Sequence, residues 1–189
     1  MDRAKIEKGI RLLLEGIGED PEREGLVDTP RRVAEMYEDV IATESADLSS
    51  IVVAIGSDTH QEMVLVRNIT FHSLCEHHLL PFFGVAHVAY IPSKHGKITG
   101  LSKVVRLVRT AAARLQLQER LTSTIADTLV TSLDPAGVLV LIQAEHLCMS
   151  MRGVRAPGSR VVTSAVRGVF RTNAATRAEV LALIEAPPG

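Results

Sequence analysis

Cysteine occurs only twice in this chain, and both copies sit among histidines. Cys75-Glu76-His77-His78 sets a thiol, a carboxylate and two imidazoles on consecutive residues, and Glu145-His146-Leu147-Cys148 adds an imidazole beside the second thiol. A fold that uses these groups together must bring two distant segments to one point. Cysteine and histidine in combination suit Zn²⁺. The Cys-x-x-His spacing lets one turn supply two ligands, and the distant cysteine closes a third. Three protein ligands leave one tetrahedral position open for water, the catalytic arrangement. Two other readings use the same residues: a Cys75–Cys148 disulfide or inert buried thiols, and a closed structural site with His146 as fourth ligand. Adjacent His77 and His78 project differently, so one of them coordinates. The first-to-fourth spacing favours His78 and frees His77 for acid–base work or substrate contact.

A chain of 189 residues can bury one good core, with a small helical part at its N-terminus. A formal net charge of −1 leaves no cationic excess for a general polyanion binder, so nucleic acid is not an expected partner. Two cysteines make no disulfide scaffold and fit a reducing cytosol. The N-terminus has no continuous apolar segment of the signal-peptide kind, and no run approaches the roughly 18–20 residues of a membrane span. The expected location is cytoplasmic, away from membranes.

Ile6, Ile10, Leu13, Leu14 and Ile17 recur at helical spacing, so residues 3–17 read as an amphipathic helix. Thr29 as N-cap and Pro30 at the first helical position start a second helix, with Val33, Met36, Tyr37 and Val40 as its stripe. Residues 1–58 form the expected N-terminal helical segment and 59–189 the main domain. There, 63–69 and 84–91 read as strands, and the apolar period from Leu101 to Leu115 and from Leu121 to Leu133 as two helices. Residues 138–151 read as a long strand and 161–170 as its hairpin partner, with Asn173 capping a last helix. Strand, strand, helix, helix, strand, strand predicts an α+β fold: an antiparallel four-stranded sheet with two helices on one face. The other face needs cover, which favours self-association.

Alternate residues of a strand share a face, so His146, Cys148, Ser150 and Arg152 are expected along one side of the third strand. Lys103 and Arg106 share a face near a helix N-terminus, where unpaired amides already favour an anion. They read either as a phosphate site or as a solvated basic face; Arg152 beside a metal-binding strand favours phosphate. Glu119 opens the next helix, either as a helix-start charge or as an acceptor for a guanine edge.

These stretches together resemble GTP cyclohydrolase I of the zinc-dependent type. The resemblance rests on Cys75-Glu76-His77-His78-Leu79, Gly100-Leu101-Ser102-Lys103, Gln118-Glu119-Arg120-Leu121-Thr122 and the run from His146 to Gly153, in that order. Asp20-Pro21-Glu22-Arg23-Glu24-Gly25-Leu26 and Asp28-Thr29-Pro30-Arg31-Arg32-Val33 also match, so the similarity covers about residues 5–185. It implies a tunnelling fold (T-fold) and a homodecamer of two face-to-face pentamers with active sites at subunit interfaces. The implied reaction converts GTP and water into 7,8-dihydroneopterin triphosphate and formate, the first step toward folate and other pterins. Zinc would be held by Cys75, His78 and Cys148, its water attacking C8 of guanine. His146 would protonate the imidazole ring nitrogen, His77 would assist at the ribose, and Ser102 would take part in the rearrangement. Glu119 would anchor guanine with Gln118 flanking it, and Lys103, Arg106 and Arg152 would hold the triphosphate. The loop 93–97 is slightly longer than in some relatives, and the N-terminus lacks the long extension of animal forms, which gives no support for a feedback-regulatory partner. A zinc nucleobase deaminase would need His-x-Glu with Pro-Cys-x-x-Cys, and the second is absent.

Overall fold

The protein is described by a computed structural model, in which residues 1–41, 47–56, 60–94 and 97–187 are described. His95 and Gly96 of the 93–97 loop lie outside the described residues. The chain forms two compact units, Met1–Ser45 and Ala46–Gly189.

The first unit is a helical pair, α1 (Arg3–Gly16) and α2 (Thr29–Val40). Asp2 caps α1 by accepting from the Lys5 N–H at 3.1 Å. Leu14 and Ala34 are buried, and Arg3 pairs with Glu38 across the two helices. Thr29 is not the N-cap of α2. Asp28 takes that position but makes no capping bond, because its carboxylate faces Arg31 and Arg32 at 3.7 and 3.4 Å.

The second unit runs α3 (Leu48–Ile51), β1 (Ala54–Gly56), β2 (Val64–Cys75), β3 (Pro81–Ile91), β4 (Lys97–Thr99), α4 (Leu101–Ala112), β5 (Leu115–Gln116), α5 (Gln118–Leu133), β6 (Gly137–His146), α6 (Leu147–Ser150), β7 (Val161–Gly168), α7 (Val169–Thr172) and α8 (Ala174–Glu185). The main sheet has the order β5-β2-β3-β6-β7. Its four long strands are antiparallel, as expected, and the two-residue β5 joins β2 in parallel. Although α3 and β1 fall inside the expected N-terminal segment, Val52 is buried in the core of this unit and β1 pairs with β4.

The core lies between the sheet and the apolar faces of α4 and α5, with Phe71, Phe82, Leu107, Leu121, Ile125 and Leu129 fully buried. A smaller cluster, Ala89, Leu139, Phe170 and Val180, covers one end of the opposite face.

Two strands depart from the alternation read in the sequence. β2 continues past Ile69 to Cys75 because of a bulge: Val66 pairs with Val88 but Ile69 with Ala86, and Asn68 adopts φ 58°. One extra residue changes the parity of the strand. Val64 and Val66 pack on the core before the bulge; Ile69, Phe71 and Cys75 do so after it. β6 is shorter than expected and ends at His146. Phe82 pairs with His146, so the next rung would fall on Pro81, which has no N–H to give. The chain therefore turns helical at Leu147, and His146, Cys148, Ser150 and Arg152 do not share a strand face.

Candidate metal centre

Cys75 is the last residue of β2, and the chain folds back over it at once. The N–H of Leu79 donates to Cys75 O at 2.8 Å, that of His78 to the same oxygen at 3.3 Å, and Cys75 N–H to Leu80 O at 2.9 Å. Leu79 holds a left-handed conformation, φ 56°, to close this turn. His78 is thereby returned toward the Cys75 side chain. The helical turn α6 delivers Cys148 from the other segment. The ligand atoms of Cys75, His78 and Cys148 all lie within 4.8 Å of one another.

Both cysteines are free thiols, so the disulfide reading does not hold. Burial and the neighbouring Cys75 push the Cys148 thiol above its ordinary pKa. Two soft donors this close repel as thiolates, and a bound cation reverses that penalty. Two sulfurs and an imidazole nitrogen are a donor set that suits zinc.

His146 stands beside this group but outside it. Its Nε2 is 2.8 Å from Gln118 Oε1, and its ring stacks on Phe82 with centroids 4.5 Å apart and planes 5° from parallel. Gln118 is buried, and its Nε2 donates to Ile142 O (3.1 Å), Val161 O (3.0 Å) and Thr163 Oγ1 (3.1 Å). With the amide nitrogen so committed, the oxygen must face His146. The network therefore assigns the proton of a neutral ring to Nε2 and leaves Nδ1 as the open nitrogen. Burial lowers the His146 pKa, and the nearby Glu119 carboxylate opposes the shift.

The remaining predicted residues divide into two sets. Near the metal group, Arg152 Nη1 lies 3.3 Å from His78 Nε2, and the ring of His77 is edge-on to His78 at 6.2 Å. Glu119 is exposed on the first turn of α5. Ser102, Lys103 and Arg106 stand on the first two turns of α4, whose cap Gly100 offers no side-chain bond. None of these three side chains makes a hydrogen bond or ion pair among the described residues. Two groups were assigned no role from sequence: Phe82, the stacking partner, and Arg120, paired with Glu76. The spacing of Gln116 and Arg120 before and inside a helix start was the available signal for the second.

A turn at the end of a strand and a short helix that converge on two thiols and an imidazole, with a half-buried histidine alongside, define a zinc-dependent α+β enzyme. Residues 6–185 match the GTP cyclohydrolase I family, and the chain belongs to it. GTP cyclohydrolase 1 of Carboxydothermus hydrogenoformans is 61% identical over 184 residues, covering 97% of this chain and 95% of that one. The enzyme of the same name from Geobacillus kaustophilus is 60% identical over 183 residues, 97% of each chain. Among solved structures, the apo archaeosine synthase QueF-Like aligns with 58% of this chain and 97% of its own at 18% identity and a TM-score of 0.48. The four antiparallel strands with α4 and α5 on one face are the T-fold unit expected of the family.

Proposed function

We propose that the chain hydrolyses and rearranges GTP to 7,8-dihydroneopterin triphosphate and formate, opening pterin and folate synthesis. The observation that carries this reading is the convergence of Cys75, His78 and Cys148 beside a histidine whose tautomer is set by Gln118. Cys75, His78 and Cys148 would hold zinc, which would supply Lewis acidity and a lowered water pKa.

The chain's own residues do the rest. Glu119 accepts two N–H bonds from the guanine edge, and Gln118 flanks the base by holding His146 against it. Nδ1 of His146, unprotonated in the neutral ring, takes up a proton from water and passes it to the imidazole nitrogen of guanine, so that the C–N bond opens. His77 serves at the ribose and Ser102 in the later rearrangement. Lys103, Arg106 and Arg152 bind the triphosphate, the first two helped by the open N–H groups of α4. The uncommitted side chains of Ser102, Lys103 and Arg106 are in keeping with sites completed between subunits. We accordingly assign the chain to a homodecamer of two pentamers in the cytoplasm. No described helix is long and apolar enough to cross a membrane.

The test is incubation of zinc-loaded protein with GTP, reading formate and, after oxidation, a fluorescent pterin. Release of both in equal amounts is the expected result; neither product from zinc-loaded protein would refute the assignment.

A further inference from the structure

We propose that Arg120 and Glu76 form a positioning link that fixes the Cys75–His78 turn relative to the helix bearing the guanine-recognition residues. The inference rests on the reading of Cys75, His78 and Cys148 as metal ligands. Glu76 lies between two of them in the chain, yet its carboxylate is not part of the donor group. It is turned away and paired with Arg120 Nη2.

The same Nη2 donates to Leu115 O at 3.1 Å, and Arg120 Nε donates to Gln116 Oε1 at 2.9 Å. Gln116 is itself buried and tied to Ala111 O at 3.0 Å, so the guanidinium is anchored on the end of α4. The backbone repeats the connection: Glu76 N–H donates to Gln116 O at 3.1 Å, and Cys75 pairs with Gln116 in the β2–β5 ladder. A planar guanidinium satisfies these acceptors in one orientation, and a lysine ammonium could not reproduce the fork.

Arg120 follows Gln118 and Glu119 on the first turn of α5. One helical turn therefore carries the partner of His146, the carboxylate for the base and the clamp on the metal turn. The Arg120 and Glu76 side chains are 47% and 30% exposed, so the pair adds little to stability. Its effect is on geometry: His78, exposed at the far end of the turn, is held in line with Cys148 through Glu76.

Zinc affinity, measured by chelator competition on the full chain, tests the link. Glu76→Ala and Arg120→Gln should each weaken zinc by about 10–100-fold, as losses of groups that orient metal ligands do. The double variant should lose no more than the worse single one, because both remove the same link. Thermal unfolding of the metal-free variants should match the parent. Affinities within about twofold of the parent, or losses that add in the double variant, would overturn the link. So would a metal-free unfolding temperature that falls in step with affinity, since the residues would then be structural only. If the parent itself holds no zinc that Cys148→Ser removes, the metal reading fails and takes the link with it. A parent that binds with variants that bind equally removes the link alone.

Discussion

Gln118 Oε1 accepts from His146 Nε2 at 2.8 Å, while the amide nitrogen of the same side chain is spent on three acceptors of β6 and β7. The glutamine cannot flip without setting its NH₂ against the ring, so the sheet dictates which imidazole nitrogen stays free.

Gln118→Leu should therefore separate binding from chemistry. Zinc content and KM for GTP should stay near the parent's, while kcat falls by about 10–10²-fold, less than the roughly 10²–10⁴ expected for His146→Ala, because the acid remains but turns freely. Zinc analysis and steady-state kinetics on the two variants check this. Zinc lost from His146→Ala would instead mark His146 as a ligand.

Cys148→Ser should abolish zinc and turnover together. It leaves two of the three donors and puts a harder oxygen in place of a thiolate. Metal analysis after dialysis against a weak chelator is the measurement, and stoichiometric zinc with full activity would remove Cys148 from the site.

Arg152→Ala should weaken GTP more than guanosine. A charge-assisted contact to phosphate is worth about 1.5–3 kcal/mol, or roughly 10–150-fold in Kd. Equal losses for both ligands, by calorimetry on zinc-loaded protein, would place Arg152 away from the triphosphate.

Stability should decline on mild acidification through His87. This residue is 4% exposed in β3, its Nδ1 accepts from Asn68 N–H at 3.4 Å, and burial, then Arg67, hold its pKa below the ordinary 6.5. The unfolded chain thus takes a proton before the folded one does. Stability is complete above pH 6.5, falls as pH drops below it, and levels once the folded state is protonated too. Denaturant unfolding of the parent and His87→Gln at several pH values should show a shallower slope for the variant in that window.

The sequence made the α+β order, both core helices and the three-donor metal group legible, because each rests on a local period or on ligand chemistry. Three features depend on pairings that no local pattern carries. The reach of β2 to Cys75 was hidden by the parity change at Asn68. The end of β6 at His146 depends on Pro81 lying across the sheet, a partner no local pattern names. The inward role of Gln118 depends on carbonyls of β6 and β7, so the motif located the residue without showing where its amide points.

Beyond the bulge at Asn68, the metal centre is sensitive to the reading phase of β2. Deleting Asn68 would take out the extra residue and leave Val66 and Ile69 two apart on the core face, so Phe71 and the Cys75 thiol would keep their side of the sheet. Inserting one residue between Ile69 and Cys75 would instead rotate the thiol outward by half a turn, so zinc binding should survive the deletion and be lost in the insertion. The site is thus encoded by counting as much as by chemistry: the number of residues from Ile69 to Cys75 decides which side of the sheet the thiol meets.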